Sequence, residues 1–324
     1  MIPRLACLFV QLLALVSASI DAAAADYPVR PIRLIVADAA GGAPDQLARL
    51  VSQKLTDSLG QQVIVDNRPG AAGALGAELA AKSPKNGYSL LLTTTSIYAI
   101  LPNLRKNLPY DPVRDFVPIS RLATASNVLV VSVSLPAKSV AELVRLAKSR
   151  PGAINYASAG VGSPAHLAGE MLNLLAGIKL THIPYKGAAP ALLDVIAGNA
   201  QLILTSPIAA GAHMHAGRVR ALATTGTERN PILPDLPTIA EAVPGYEISQ
   251  SWGVVAPAGT PRQIIKRLND EIVKTMRLSD VRDRVQNTGA APAGDSAAAF
   301  EAFIARERQR LGDVITKTGI VLTD

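Results

Sequence analysis

Short apolar runs alternate with stretches of helical periodicity along this chain. In the first part of the sequence, strands are predicted at Ile32 to Val36, Val63 to Asp66 and Ser89 to Thr94, each followed by turn-forming residues. Between the first two runs, apolar side chains recur at helical spacing, namely at Leu47, Leu50, Val51, Leu55 and Leu59. This part of the chain therefore predicts a strand–helix–strand unit.

The same alternation continues in the second part of the chain. Val128 to Val133 predicts a strand, and Ser139 with Glu142 has the spacing of a capping box that opens a helix. Further strands are predicted at Asn155 to Ala157, Leu180 to Ile183 and Gln201 to Thr205. Strands that alternate with helices favour an α/β fold with mostly parallel sheets and helices on both faces.

The N-terminal residues have the pattern of a secretory signal peptide. Arg4 precedes an apolar run from Leu5 to Val16, and the small residues Ala22 to Ala25 follow. The run is shorter than the roughly 20 residues that a bilayer-spanning helix needs. We predict a cleaved signal peptide at residues 1–25, and the only cysteine, Cys7, lies within it. The mature chain is therefore predicted to have no disulfide and no cysteine metal site.

Composition narrows the function classes. The chain has 32 Lys and Arg against 25 Asp and Glu, a formal net charge of +7. These basic residues are scattered singly, which is typical of a solvated surface, so we predict no nucleic-acid partner and a mild attraction for anions. Aromatic residues make up only 4% of the chain, which gives little support to a stacking platform for sugars or bases.

Candidates for catalysis are few. No metal-ligand spacing, phosphate-binding loop or dinucleotide fingerprint occurs among the motifs, so no metal and no cofactor are predicted. Ser163 is followed directly by Pro164, which removes the backbone N–H that would complete an oxyanion hole. We interpret Ser163 as a helix N-cap and predict that the protein is not an enzyme. His166 is either a structural histidine or part of a pocket wall.

Loops between strands and helices are the predicted ligand site. Gly41 to Asp45 follows the first strand directly and opens the first helix, and Ser163 opens a later one. In an open α/β sheet, ligands bind at the carboxyl ends of strands, where such loops cluster. Helix N-termini offer free N–H groups and a partial positive charge, which suit a carboxylate.

A series of short motifs runs through essentially the whole predicted mature chain. They are Tyr27-Pro28-Val29-Arg30-Pro31-Ile32-Arg33, Gly41-Gly42-Ala43-Pro44-Asp45 with Ala48-Arg49, Asp66-Asn67-Arg68-Pro69-Gly70-Ala71-Ala72-Gly73, Leu108-Pro109-Tyr110-Asp111-Pro112, Gly160-Val161-Gly162-Ser163-Pro164-Ala165-His166-Leu167, Ile183-Pro184-Tyr185-Lys186-Gly187, Gly217-Arg218-Val219-Arg220-Ala221-Leu222-Ala223, Leu233-Pro234-Asp235-Leu236-Pro237-Thr238 and Ala256-Pro257-Ala258-Gly259-Thr260-Pro261. In this order they resemble the receptors of tripartite tricarboxylate transporters, the Bug proteins of Gram-negative bacteria. An ordered series is far more specific than any single motif.

The resemblance implies a periplasmic protein with the type II two-domain periplasmic-binding-protein fold. Two crossovers would join domain 1, at residues 26–127 and 248–324, to domain 2, at residues 128–247. The domains would close on a ligand in the cleft between them, like a flytrap. Implied partners are a small carboxylate and the membrane subunits of a transporter, or a sensor, with the receptor itself a monomer.

The resemblance also implies a set of ligand-binding residues. In the family, loop amides, hydroxyls and ordered water hold the ligand carboxylate in place of an arginine clamp. Matched to this sequence, and together with the neighbouring Ala40 and His166, the set is Ala40, Gly41, Gly42, Asp45, Thr95, Ser96, Ser158, Gly162, Ser163, His166, Thr205 and Ser206. The expected ligand is a di- or tricarboxylate, an acidic amino acid or an aromatic acid.

The sequence departs from the family pattern at three places. Ala37-Asp38-Ala39-Ala40 stands where the family has a proline-rich lead, Gln201 replaces a common acidic residue, and Thr205 to Ile208 replaces a more aromatic segment. If Asp38 faces the pocket, it disfavours a second ligand carboxylate and favours a neutral or cationic group. Two rival functions stay open at this point: a secreted hydrolase that uses Ser163 and His166, and a scaffold or adhesion protein without a small ligand.

Overall fold

A computed structural model describes residues 27–318 of the chain. The predicted signal peptide at residues 1–25 lies outside the described residues. Within 27–318, no helix combines the length and the apolar character that crossing a membrane requires.

Eleven strands and ten α-helices are found in the described range. The strands are β1 Ile32–Val36, β2 Val63–Asn67, β3 Ser89–Thr94, β4 Phe116–Ser126, β5 Val128–Ser132, β6 Asn155–Ser158, β7 Thr181–Pro184, β8 Leu202–Thr205, β9 Val219–Thr224, β10 Ser249–Pro257 and β11 Ala291–Pro292. The helices are α1 Ala43–Leu59, α2 Ala74–Ala81, α3 Leu101–Leu104, α4 Val140–Ser149, α5 Pro164–Ala176, α6 Ala188–Ala197, α7 Pro207–His215, α8 Arg262–Arg277, α9 Ser279–Gln286 and α10 Ala297–Thr318. One π-helical turn, Ser96–Ile100, joins β3 to α3, and short 3₁₀ turns lie at Ala71–Gly73 and Ile239–Glu241.

The strands form two sheets, each the centre of one α/β domain. The six-stranded domain has the strand order β11-β4-β10-β3-β1-β2, and the five-stranded domain has the order β7-β6-β8-β5-β9. The two-domain α/β fold predicted from the sequence is confirmed. The strands divide between the sheets as the predicted boundaries would place them, and the exact domain limits stay a prediction.

Each sheet is mixed: four of its strands run in one direction, as the expectation of mostly parallel sheets requires, and the others run against them. Parallel pairs join β2, β1 and β3 in one domain and β7, β6 and β8 in the other. β10 runs antiparallel to β3 and β4, and β5 runs antiparallel to β8 and β9. β5 and β10 each come directly after a crossover, so the chain enters each sheet there against the direction of its neighbours. The short edge strand β11 also runs antiparallel, to β4.

The two crossovers lie side by side. The first is Asn127, between β4 and β5, and the second is the segment between β9 and β10. The Asn127 N–H donates to Thr225 Oγ1 at 2.7 Å, and the Thr225 N–H donates to the Asn127 carbonyl at 2.9 Å. Because the first connection is a single residue and is bonded to the start of the second, they form a compact joint on which the domains can hinge.

Buried apolar strands anchor each domain. Ile32, Leu34 and Val36 of β1 pack against α1, and Val128 and Val130 of β5 pack against α6. The N-cap predicted at Ser139 is present, since Ser139 Oγ accepts from the Glu142 N–H at 3.2 Å. The Glu142 carboxylate accepts from the Lys138 N–H instead of the Ser139 N–H, so the predicted capping box is only half formed.

Candidate functional site

A cavity with both apolar and polar lining residues lies between the two domains, at the carboxyl ends of β1, β3, β6 and β8. It offers about 60 Å³ to water-sized molecules, which is room for on the order of four waters. The six-stranded domain lines it with Asp38, Ala43, Pro44, Thr94, Ser96, Gln250 and Trp252, among others. The five-stranded domain contributes Ser163, Pro164, Gly187, Ala188, Thr205 and Ser206, among others.

Four helices begin at this cavity. The helices α1, α5, α6 and α7 follow the strands β1, β6, β7 and β8, respectively. The first residues of α1, α5 and α6 line the cavity, and α7 begins directly after Ser206, which lines it as well. Three of them carry proline at the first or second helical position, where the missing N–H is no loss. Their N-terminal N–H groups and partial positive charges favour an anion in the cavity.

Two serine hydroxyls cap helices at the cavity wall. Ser163 Oγ accepts from the His166 N–H at 3.3 Å at the start of α5. Ser206 Oγ accepts from the Ala209 N–H at 3.2 Å at the start of α7. A hydroxyl that accepts one bond still carries a proton, so each can donate to a bound carboxylate.

Ser96 links the two domains across the cavity. Its Oγ lies 2.8 Å from the Ala72 carbonyl and 2.8 Å from the Gly162 carbonyl, which belongs to the other domain. A hydroxyl has a single proton, so it donates to one of these oxygens at a time. The structure therefore shows the domains in contact, with the cavity between them.

Asp38 is the one titratable side chain among the residues that line the cavity. Its Oδ1 accepts from the Ala39 N–H at 2.7 Å and, across the cleft, from the Ala188 N–H at 3.2 Å. Burial raises the pKa of Asp38 to about 6, although these two backbone bonds act in the opposite direction. The carboxylate thus faces the pocket, which answers the question that the sequence left open.

Asp45 supports the β1–α1 loop from behind the cavity. Its Oδ2 accepts from the Gly41 N–H at 2.9 Å and from Arg49 Nε at 3.0 Å. Burial pushes the pKa of Asp45 up, but the bonds from Arg49 and Gly41 outweigh it and hold the pKa below its usual range. Asp45 therefore fixes the loop while Ala43 and Pro44 line the cavity.

Several other residues predicted for the site make internal contacts. Thr95 Oγ1 accepts from the Ser251 N–H at 2.8 Å, and Ser158 Oγ lies 2.5 Å from His182 Nε2. His166 Nδ1 accepts from the Gly162 N–H at 3.2 Å, and its ring stacks on His182 with centroids 4.2 Å apart. Of the predicted set, Ser96, Ser163, Thr205 and Ser206 line the cavity, whereas Ala40, Gly41, Gly42, Asp45, Thr95, Ser158, Gly162 and His166 lie beside or behind it.

The geometry does not arrange Ser163 and His166 for hydrolysis. The His166 Nδ1 lone pair is used by the Gly162 N–H, so it is not free to take a proton from Ser163. Burial also lowers the pKa of His166, which keeps the ring neutral. Both residues act as parts of the α5 N-terminus. Of the two sequence interpretations, His166 fits the structural one.

Sequence reasoning missed several cavity residues. Gly187 and Ala188 follow β7 in a strand-to-helix loop, so the rule that found the other helix starts would have found them as well. Gln250 and Trp252 lie within β10, far along the chain from the other site residues. No local pattern marks them, since they reach the cavity only through the antiparallel pairing of β10 with β3.

Comparison with known proteins gives a consistent result. The tripartite tricarboxylate transporter family receptor matches residues 47–320 of the chain. Protein BugT of Bordetella pertussis is 37% identical over 298 residues, which cover 91% of this chain and 91% of that protein.

Solved structures agree with this match. Rpa4515 of R. palustris, solved with adipate, has a TM-score of 0.88 at 37% identity and covers 91% of this chain and 99% of its own. MatC from Rhodopseudomonas palustris, solved with bound malate, has a TM-score of 0.86 at 30% identity, and the coverage is 89% and 100%.

Two α/β domains, two crossovers and a cavity between the domains define a solute-binding receptor of the periplasmic-binding-protein fold. The chain belongs to the tripartite tricarboxylate transporter receptor family, as its motifs indicated. The members of this family are periplasmic binding proteins, and the family and its structural neighbours are receptors, not enzymes.

Proposed function

We propose that this receptor captures a small carboxylate reversibly between its two domains. The proposal rests on one observation: helix N-termini from both domains meet at a cavity, and no residue that lines this cavity has a basic side chain. Helix N–H groups and hydroxyls can hold a carboxylate without a cation. The ligand is a di- or tricarboxylate, an acidic amino acid or an aromatic acid.

The similar receptors solved with adipate and with malate support this ligand chemistry. Binding would favour the closed arrangement, because a ligand that touches both domains has more partners when they meet. The contacts that Ser96 and Asp38 make across the cleft support such a closed arrangement. The net charge of +7 would assist the arrival of an anion.

The loaded receptor would then deliver its ligand to membrane partners. We propose the membrane subunits of a tripartite transporter, or a sensor, as the proteins that recognise the closed form. The pattern at residues 1–25 supports export with a cleaved signal peptide, and the mature receptor is proposed to act as a monomer without a nucleic-acid partner.

Thermal unfolding of residues 26–324 with a panel of acids tests this proposal. A ligand at 100 times its Kd adds about 2.7 kcal/mol of stability. For a protein of this size, we expect the midpoint to rise by about 5–10 °C. Adipate, malate, citrate, glutamate and benzoate form the panel, and their methyl esters are the matched controls without a carboxylate charge.

The protein is first unfolded and refolded by dialysis, so that no ligand carried through purification fills the cleft. A shift with one group of acids, absent with the esters, supports carboxylate capture and gives the ligand class. Equal midpoints with every acid and ester contradict it and favour a scaffold or adhesion role.

A further inference from the structure

The cavity contains a carboxylate of its own at the α6 N-terminus. Asp38 Oδ1 accepts from the Ala188 N–H in the first turn of α6, a helix of ten residues. This N-terminus lies in the opposite domain, so Asp38 occupies there the position that a ligand carboxylate would take. α6 has no capping side chain of its own.

The second oxygen of Asp38 is available to a ligand. In residues 27–318, hydrogen bonds reach only Oδ1 of this carboxylate. Oδ2 lies against Gly42 at the start of α1, 3.1 Å from where a Cβ on that glycine would stand. Asp38 itself lines the cavity, and its Oδ2 keeps an unused capacity to accept a hydrogen bond.

No cation balances Asp38 among the residues lining the cavity. Asp45, on the same loop, adds a second negative charge nearby, and its own partner Arg49 lies behind the cavity. A ligand carboxylate beside Asp38 would place two like charges in a half-buried site, which is strongly unfavourable. A hydrogen-bond donor at the same place would instead satisfy Oδ2.

We infer that Asp38 selects monocarboxylates whose other end carries a hydrogen-bond donor, such as an ammonium, amide or hydroxyl group. The ligand carboxylate would bind at the α5 and α7 N-termini, and its donor group would bind Asp38 Oδ2. This inference rests on the proposed function and narrows it, because it excludes ligands that need a second carboxylate at the α6 end.

Calorimetric titration with three matched acids tests the role of Asp38. The probes are adipate, its monoamide 6-amino-6-oxohexanoate, and 6-aminohexanoate, each used together with its four-carbon counterpart: succinate, succinamate and 4-aminobutyrate. At pH 8, Asp38 is ionised, since its pKa is about 6. We expect the wild type to bind the monoamide or the amino acid at least ten times more tightly than the diacid of equal length.

Asp38→Asn keeps the size and one acceptor oxygen of the side chain but removes its charge. In this variant, we expect the preference over the diacid to fall at least tenfold. Asp57→Asn, at an exposed position of α1, removes the same charge outside the cavity and should leave the preference unchanged. Equal midpoints of thermal unfolding for the two variants would show that folding is not the cause.

A wild type that binds the diacids as tightly as the monoamides, with no change in Asp38→Asn, would overturn this inference and leave carboxylate capture standing. Failure of all six compounds to bind would overturn it as well. If the wider acid panel then also failed to shift the unfolding midpoint, the proposed function would fall with it.

Discussion

Replacing Gly187 with alanine is expected to weaken acid binding at least 100-fold while both domains stay folded. A Cβ at this position would lie 2.6 Å from the Ala39 Cβ and 2.6 Å from Asp38 Oδ1, both in the opposite domain. Such distances are too short for any contact between these atoms. The clash disappears when the cleft opens, so the variant should be held open and lose the closed, ligand-bound state.

An alanine substitution at a second glycine, Gly177, distinguishes the effect of backbone strain from the effect of the clash. Gly187 has φ +130°, which non-glycine residues rarely adopt, so alanine there also costs about 1–3 kcal/mol. Gly177 has φ +59° at the end of α5, with no heavy atom near its Cβ position, so Gly177→Ala brings strain without a clash. Small-angle scattering measures closure, and calorimetry with the acid that stabilises the wild type most measures affinity. Equal affinities in both variants would show that close packing at Gly187 is not required for closure of the cleft.

Trp252→Ala is expected to destabilise the protein by about 3–5 kcal/mol, the usual cost of removing a buried aromatic side chain. Trp252 is only 1% exposed, lies in β10 between β3 and β4, and lines the cavity. The same side chain therefore supports the six-stranded domain and shapes the ligand site. Urea unfolding followed by far-UV circular dichroism measures the loss of stability.

Trp252→Phe is the comparison, since it keeps an aromatic ring and should cost much less than the alanine variant. Retention of most of the unfolding free energy by Trp252→Ala would contradict the account of Trp252 as a core residue. In that case, any loss of ligand binding would have to come from the cavity wall alone.

The fold was predictable from local patterns because the parallel strands are buried apolar runs. Ile32 to Val36 and Ser89 to Thr94 were predicted with the bounds that β1 and β3 have. The direction of β5 and β10 was not predictable in this way. Their reversal depends on how each crossover enters its sheet, and neither strand carries that information in its own residues.

The site was predictable where a helix start carries a cap. Ser163 was predicted from the serine–proline pattern that opens α5, whereas Ser206, which precedes the proline of α7, came only from the family resemblance. The predicted residue Thr95 lies next to two residues that line the cavity, Thr94 and Ser96. Thr94 ends β3 and lines the cavity, while Thr95 begins the following turn and its Oγ1 accepts internally from the Ser251 N–H.

The orientation of Asp38 could not be read from the sequence. Its side chain is directed by the Ala188 N–H, which lies 150 positions along the chain and in the other domain. Only the assembled cleft brings these groups together. The departure from the family pattern drew attention to Asp38, but only the tertiary structure shows which groups this residue contacts.

The central claim is that helix N-termini with serine caps hold the ligand carboxylate. It is tested most directly by calorimetric affinities of Ser163→Ala, Ser206→Ala and Ser139→Ala for the acid that stabilises the wild type most. All three remove a helix-capping hydroxyl and should cost about 1 kcal/mol of stability. Ser139 caps α4 and is absent from the cavity lining. We expect at least a tenfold loss of affinity in the two cavity variants and wild-type affinity in Ser139→Ala, whereas equal affinities in all three would contradict the claim.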